Sequence, residues 1–168
     1  MVFAKNKKSA AALSLLVSGD GIGKEYLAVV DGESEGGELR DYLSKDNRLR
    51  KATVTSPSMK GAKEAVLTAE PLSTVVTDRG VKTLLLVRLK TGRFHQIRAQ
   101  LSSRGTPITG DGKYGSRDSL SRTPALASVR LAFSLPPDKV DIRRAPDTSV
   151  YPWSLFSDFI NNFDYFKR

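Results

Sequence analysis

One short segment combines two arginines, the only histidine of the chain and a glutamine, at Arg93, His95, Gln96 and Arg98. It follows an apolar, β-prone run that ends at Leu89, and the Thr91-Gly92 pair in between favours a turn. After the turn, apolar residues recur at helical spacing. The segment therefore predicts a strand, a turn and a helix. Planar, multidentate donors at the start of a helix suit anions and nucleobases as ligands.

The two arginines of this segment have different expected roles. Arg93 lies at the turn, where it can bind a backbone phosphate. Arg98 lies a turn and a half further along the helix and points elsewhere, and a guanidinium directed inward needs a carboxylate or phosphate partner because an unpaired buried charge is costly. A solvated surface arginine remains the alternative for each of them.

His95 and two tyrosines also keep alternative interpretations. His95 can act as an acid or base, hold a loop or contact RNA, and no serine or carboxylate at a suitable spacing indicates a hydrolytic triad. Tyr26 lies in the middle of a predicted strand, where packing is the simpler interpretation and stacking on an RNA base is the alternative. Tyr114, beside Lys113 in a glycine-rich turn, has the same two interpretations.

Composition narrows the class of protein. The chain has 168 residues, which fits one domain or a large piece of a bigger one. It contains no cysteine and one histidine, which excludes disulfides, thiolate metal sites and multi-histidine metal sites. No apolar run is long enough to span a membrane, so we expect no membrane partner.

Charge indicates the type of partner. The net charge is +9, and residues 79–130 contain eleven Lys/Arg and two acids. This imbalance favours an anionic partner, nucleic acid first, with a generally basic surface as the alternative.

The hydrophobic pattern predicts an α+β fold: a mixed, mostly antiparallel sheet with a few flanking helices. We predict a helix over 6–18, opened by Asn6 and ended near Gly19, and a helix from Phe94 to about Ser103, ended by the glycine of Arg104-Gly105. Strand segments are predicted over 25–30, 52–55, 62–72, 75–78, 83–89 and 129–135, the last ended by Pro136-Pro137. Residues 38–56 otherwise contain only short β-like pieces. Helical spacing of Phe156, Phe159, Ile160 and Phe163 predicts an amphipathic C-terminal helix that packs on the core. We expect residues 136–168 to form an extension that packs on the domain of residues 1–135.

Several motifs, in chain order, resemble those of the RluA family of RNA pseudouridine synthases. Lys24–Gly32 resembles K-x-Y-x-A-x-V-x-G, Thr91–Arg98 resembles T-G-R-x-H-Q-I-R, and Pro107–Gly115 resembles P-I-x-G-D-x-x-Y-G. Two weaker similarities, Leu39–Asp46 and Lys63-Glu64-Ala65, fall between them. The similarity runs from about residue 2 to residue 135, so the resemblance implies a partial pseudouridine synthase catalytic domain.

The resemblance implies an activity and a partner. The family isomerises uridine to pseudouridine in RNA with no cofactor and no metal. A flipped-out uridine enters a cleft, an aspartate attacks, the glycosidic bond breaks, the uracil turns and a carbon–carbon bond forms. We accordingly expect a structured RNA, rRNA or tRNA, as partner. The compartment stays open between the cytoplasm and an organellar matrix.

The resemblance also assigns roles to residues. Arg98 corresponds to the arginine that pairs with the catalytic aspartate, and Tyr26 to the tyrosine that stacks on the target base and assists its deprotonation. The remaining matched polar positions correspond to cleft or RNA-contact residues: Arg93, His95, Gln96, Lys113 and Tyr114.

The chain departs from the family pattern at one decisive place. The catalytic aspartate of the family lies in H-R-L-D-x-x-T-S-G, before a strand that resembles Val2–Asn6, and the sequence contains no such motif. We therefore expect the carboxylate partner of Arg98 outside this chain, on a segment whose absence exposes a sheet edge that a partner chain could cover. The alternative function is an inactive relative that binds RNA or assists ribonucleoprotein assembly. A smaller departure is Leu126-Ala127-Ser128, where the family often has L-H-A.

Overall fold

The computed structural model describes residues 3–18, 21–121, 123–136 and 138–166. Val2, Gly19 and Pro137, which mark predicted boundaries, lie outside these residues. Seven strands form the sheet: β1 (Ile22–Asp31), β2 (Gly37–Asp46), β3 (Lys51–Thr55), β4 (Lys63–Thr77), β5 (Gly80–Leu89), β6 (Leu126–Leu135) and β7 (Asp138–Arg143). Three α-helices accompany them in the described ranges: α1 (Lys7–Ser18), α2 (Gln96–Ser103) and α3 (Ser157–Asn162).

The strands form a single sheet in the order β3-β2-β4-β5-β1-β6-β7. Every strand pairing described is antiparallel, which confirms the predicted α+β class. The central strands β1 and β5 are apolar on both faces: Leu27 and Leu86 are buried on one face, and Ala28 and Leu85 on the other. Such strands need a covering layer on each side of the sheet.

The two faces of the sheet carry different elements. Helix α2 covers β2 and β4, since Gln100 donates hydrogen bonds to the Asp41 carboxylate and the Ala65 carbonyl. The strand pairings β2–β4, β4–β5 and β5–β1 show which side chains share a face of the sheet. They place Tyr26 of β1 on the same face as Asp41 of β2. Glu25 points to the opposite face, where it accepts a hydrogen bond from Tyr165 of the C-terminal segment. The candidate site residues on β1 and α2 therefore share one side of the molecule.

Both predicted helices of the first hundred residues are confirmed, with one shifted boundary. Helix α1 begins after Asn6, whose carboxamide oxygen accepts a hydrogen bond from Ser9 N. Helix α2 begins two residues later than predicted, because His95 has a left-handed backbone with φ of 50° and cannot belong to the helix. Gly105, with φ of +79°, follows the helix, as the glycine stop predicted.

The predicted strands are too short in two places. Strand β2 has ten residues where the sequence indicated only short β-like pieces, and β4 is continuous where two strands were predicted. Pro71 lies within the first of these two predicted strands. The structure accommodates this proline at a register shift between Pro71 and Ser73, where a bulge removes the need for a ladder hydrogen bond.

The prediction of one C-terminal amphipathic helix is wrong in its local structure. The segment consists of a 3₁₀ turn at Trp153–Phe156, the short helix α3 and a second 3₁₀ turn at Asp164–Phe166. Trp153, Phe156 and Ile160 nevertheless join the core formed by the central strands. Within the described ranges, no helix has the length and apolar character to cross a membrane.

Candidate functional site

Gln96 organises the turn between β5 and α2. Its side-chain oxygen accepts hydrogen bonds from Thr91 Oγ1 at 2.8 Å and from Arg93 N at 2.9 Å, and its Nε2 donates to the Val66 carbonyl at 3.1 Å. Gln96 is only 3% exposed. The structure thus replaces the predicted RNA contact at Gln96 with a structural role, because its amide is buried and used within the protein.

Arg98 forms a bidentate ion pair with Asp111. Its Nε and one terminal nitrogen donate to the two carboxylate oxygens at 2.6 and 2.7 Å. The guanidinium also lies 4.7 Å from the centroid of the Tyr114 ring. These hydrogen bonds outweigh burial and raise the pKa of Arg98. The guanidinium thus has a carboxylate partner within the chain, because the G-D-G-K-Y-G turn folds back onto α2 and supplies Asp111. Pairing of Arg98 with a catalytic aspartate outside these residues stays a prediction.

His95 links Arg98 to Tyr114. Its Nε2 lies 3.0 Å from Arg98 Nη1 and its Nδ1 lies 3.0 Å from Tyr114 Oη. A guanidinium can only donate, so Nε2 accepts and the neutral ring donates from Nδ1 to Tyr114. Burial and the positive charges of Arg98 and Lys113 lower the pKa of His95. The ring is therefore neutral at pH 7, where it can take up a proton only against these charges.

Tyr114 is a buried support and not an open RNA contact. It is 3% exposed, and its hydroxyl accepts a hydrogen bond from Ala52 N at 2.8 Å. The structure therefore reassigns Tyr114 from the predicted cleft surface to the layer below Arg98. Lys113 is exposed, and so is Arg93, whose Nε donates to the Glu64 carbonyl at 2.8 Å. These two cations keep positively charged atoms available to an anionic ligand.

Tyr26 lies beside a cavity of about 540 Å³ between α1 and strands β1, β6 and β7. The β1–β6 register shifts between Glu25 and Tyr26, and such a bulge redirects side chains at the edge of a site. Burial, partly offset by a hydrogen bond with Ser128, raises the pKa of Tyr26 above its ordinary 10. The phenol is therefore neutral at pH 7. Leu13 and Val17 of α1 supply apolar lining, and Lys24 and Arg144 supply charge.

Lys24 connects the Tyr26 strand with the turn that precedes α2. It lies two residues before Tyr26 on the same face of β1 and pairs in register with Leu89. A Cβ atom added at Gly92 would lie 3.6 Å from Lys24 Nζ, so the ammonium group is next to the turn. Lys24 and Asp111 occur in two of the sequence motifs, but neither received a role, because a motif does not show which side chains are in contact.

A second ion-pair cluster lies under the loop that carries Asp111. Lys82 is 2% exposed and donates hydrogen bonds to Asp31 at 2.6 Å and to Asp118 at 2.8 Å. Tyr151 donates a short hydrogen bond to Asp118. Burial alone raises the pKa of Asp118, but the bonds from Lys82 and Tyr151 outweigh it and hold that pKa at about 2. The sequence did not predict this cluster, because a lysine inside a β-strand is usually exposed.

The residue types of the site do not form a metal centre. Among the described residues, no group of three histidine, cysteine or carboxylate side chains is arranged to hold a metal ion. The site instead offers guanidinium and ammonium groups, an imidazole and aromatic rings. Such groups suit phosphates and bases.

Comparison with known proteins decides the family. The family model for RNA pseudouridylate synthases matches residues 1–103, more than half of the chain. The chain belongs to this family. An uncharacterised RNA pseudouridine synthase of Helicobacter pylori is 36% identical over 110 residues, which cover 66% of this chain and 43% of that protein. The RNA pseudouridine synthase YhcT of Bacillus subtilis is 28% identical over 149 residues, which cover 87% of this chain and 48% of that protein.

Solved structures of the family share the fold. Human RNA pseudouridylate synthase domain containing 1 superposes with a TM-score of 0.73 at 20% identity, covering 88% of this chain and 63% of the human chain. The chain spans less than half the length of the two bacterial relatives named above.

Proposed function

We propose that this chain is part of an enzyme of the RluA branch that isomerises uridine to pseudouridine in RNA. The observation that carries the proposal is the position of Tyr26 and Lys24 beside a cavity of about 540 Å³. The Thr91–Arg98 turn lies on the same face of the sheet, next to Lys24. A cavity of that size suits a nucleoside.

The reaction needs a nucleophile that the Arg98 pair does not supply. In the isomerisation, the bond from C1′ to N1 breaks, a bond from C1′ to C5 forms, N1 gains a proton and C5 loses one. Asp111 is unsuited to attack C1′, since it is 1% exposed and both its oxygens accept hydrogen bonds from Arg98. We propose that the nucleophilic aspartate comes from an H-R-L-D segment outside these 168 residues.

Arg98 has the capacity to orient such an aspartate. Three of its N–H groups bond to Asp111 and His95, and a guanidinium has five. Its side chain is 19% exposed, and we propose that the remaining N–H groups bind a second carboxylate. Asp111 then fixes the plane of the guanidinium, and His95 stays neutral beside it.

Tyr26 is proposed to stack on the target uracil. A phenol whose pKa is raised stays protonated at pH 7, which supports stacking and hydrogen bonding more than proton abstraction by Tyr26 alone. Arg93 and Lys113 are the exposed cations proposed to bind RNA phosphates. For the RNA itself we propose rRNA, because a relative from Zymomonas mobilis, 32% identical over 118 residues, is named ribosomal large subunit pseudouridine synthase D.

The experiment measures tritium release from RNA labelled at uridine C5, the position that loses its hydrogen. The 168-residue chain is compared with a chain extended at its N-terminus by the H-R-L-D segment of a relative. We expect release by the extended protein and none by the shorter chain. A folded extended protein, verified by circular dichroism, that releases no tritium would contradict the proposal.

A second candidate function is an inactive relative that binds RNA or assists ribonucleoprotein assembly. It is favoured by the net charge of +9 together with the enclosed position of Asp111. The genomic sequence immediately upstream of Met1 separates the two candidates. An in-frame H-R-L-D supports the enzyme, and its absence supports the binding protein.

A further inference from the structure

The β2–β3 hairpin and the turn after it carry an unusual excess of positive charge. Residues 43–63 contain six cations, Lys45, Arg48, Arg50, Lys51, Lys60 and Lys63, which we name the hairpin cations, and one acid, Asp46. The Asp46 carboxylate accepts a hydrogen bond from Leu49 N at 2.8 Å and so is used in the turn.

The hairpin cations differ from those on the neighbouring strands in having no carboxylate partner. Arg40 pairs with Glu38 and Glu64, and Lys90 pairs with Glu38. In the described part of the chain, none of the hairpin cations forms an ion pair with an acid. Uncompensated cations gathered on one edge of a sheet attract a polyanion.

An exposed aromatic ring lies next to these cations. Phe94 is 42% exposed, and its ring stacks on His95 at 3.9 Å with an interplanar angle of 18°. Lys45 Nζ lies 4.8 Å from the centroid of Phe94. A depression of about 240 Å³ runs between Phe94 and the chain at Gly61 and Lys63. An aromatic ring within a basic groove is the arrangement that binds unpaired bases.

The same surface is continuous with the candidate active site. His95 stacks on Phe94 and also contacts Arg98 and Tyr114. Lys51 Nζ lies 5.0 Å from the centroid of the Tyr114 ring. Lys51 therefore lies next to a residue that contacts Arg98. Lys45 lies next to Phe94, which stacks on His95.

We propose that the hairpin cations and Phe94 form a binding surface for a single-stranded segment of RNA that flanks the reacting uridine. The cations bind phosphates and the Phe94 ring stacks on an unpaired base. This inference rests on the proposed function, because it takes RNA to be the substrate. It assigns the flanking strand to one named edge of the sheet.

Salt dependence of RNA binding tests the phosphate contacts. Binding of the 168-residue chain to a fluorescein-labelled, single-stranded RNA 12-mer is measured by anisotropy over a series of NaCl concentrations. Arg48→Gln/Arg50→Gln is expected to lower the slope of log K against log[salt] by about 1.4, since each phosphate contact to a single strand contributes about 0.7. Lys7→Gln/Lys139→Gln removes the same charge from exposed lysines on α1 and β7 and is expected to leave the slope unchanged.

Stacking is tested separately with Phe94→Leu, which keeps an apolar side chain but removes the ring. We expect affinity for the single strand to fall at least about fivefold with an unchanged salt slope, because loss of stacking on one base costs about 1 kcal/mol or more. Affinity for a duplex of the same sequence is expected to stay the same, since its bases are paired.

The outcomes separate this surface from the proposed function. If the unsubstituted chain binds RNA but both double variants have the same salt slope, the proposed binding surface is wrong and the proposed function stands. The same holds if Phe94→Leu has no effect on affinity. Failure of the unsubstituted chain to bind any RNA at low salt counts against both. Substituted positions are exposed, and thermal unfolding verifies that each variant is folded.

Discussion

One loop supplies an aspartate to each of two cations, and the two pairs differ in their access to solvent. Residues 109–118 place Asp111 on Arg98 and Asp118 on Lys82. The Lys82 side chain is 2% exposed, and that of Arg98 is 19% exposed. A buried ion pair closed to solvent can only hold structure, whereas a pair that is partly open can accept a further ligand.

The hydrogen bonds around the closed pair show how it holds the loop. Thr109 Oγ1 and Ser116 Oγ donate to the two oxygens of Asp31 at 2.7 and 2.6 Å. Lys82 bonds to Asp31 as well, and Tyr151 bonds to Asp118. Both ends of the loop are thereby attached to the sheet, and the loop in turn positions Asp111. The Lys82–Asp118 pair therefore supports the loop, whereas the partly exposed Arg98–Asp111 pair is available to a further ligand.

The largest expected effect is loss of the closed pair. Lys82→Met leaves two carboxylates, Asp31 and Asp118, without their cation, and we expect the free energy of unfolding to fall by about 3–5 kcal/mol. Lys90→Met, which removes an exposed lysine paired with exposed Glu38, is the control and is expected to cost less than about 1 kcal/mol. Urea unfolding measures both, and equal losses would contradict the distinction.

Loss of the open pair is expected to cost less. Arg98→Gln leaves the Asp111 carboxylate without its cation, but the glutamine amide can still donate a hydrogen bond, so we expect a loss of about 2–3 kcal/mol in the free energy of unfolding. Asp111→Asn in the same chain is expected to restore part of it. A double-mutant cycle with zero coupling between Arg98 and Asp111 would show that the pair does not form.

Acid pH is expected to weaken the closed pair. The pKa of Asp118 is about 2 in the folded protein, below its ordinary 3.8. Its contribution to stability is therefore complete above about pH 4 and is lost as the pH falls from about 4 to about 2, amounting to about 2 kcal/mol. Stability curves of the natural chain and of Asp118→Asn should converge over this range. Parallel curves down to pH 2 would disprove the assignment.

The smallest effect is the titration of His95. Burial and the charges of Arg98 and Lys113 lower its pKa below 6.5. Since the chain has one histidine, NMR of an untagged protein gives a single ring titration, and we expect its midpoint below 6.5 and higher in Arg98→Gln. A midpoint at or above 6.5 in the natural chain would contradict the contact with Arg98.

The sequence predicted the parts of the fold that depend on periodicity and on special residues. Asn6 and Gly105 marked helix ends correctly, because their preferences are local. The gap predicted between residues 72 and 75 was wrong, since only the pairing with β5 shows that the strand continues past the bulge at Pro71. The prediction of one C-terminal helix was wrong for a related reason. The aromatic spacing indicates that Phe156 and Ile160 are buried, but it does not show that 3₁₀ turns as well as a helix bury them.

The motifs predicted which residues belong to the candidate site, but they did not predict the contacts between those residues. The need of Arg98 for a carboxylate followed from the cost of burying charge, but the identity of Asp111 required the tertiary fold. Gln96 and Tyr114 occur in the same motifs as exposed Arg93 and Lys113, and their burial could not be read from spacing. Roles inside a motif therefore have to be assigned from exposure and hydrogen bonding.

The central claim is that Arg98, fixed by Asp111, orients the reacting carboxylate. The most direct test is tritium release by the protein extended with an H-R-L-D segment, comparing Arg98→Lys with Arg104→Lys. Arg104 forms its own bidentate pair with Asp41 at the other end of α2 and serves as the matched control. We predict that Arg98→Lys lowers the rate of release at least about a hundredfold, in the range for loss of a positioning group, with the Arg104 variant near the unsubstituted rate. Equal rates for both variants would contradict the claim.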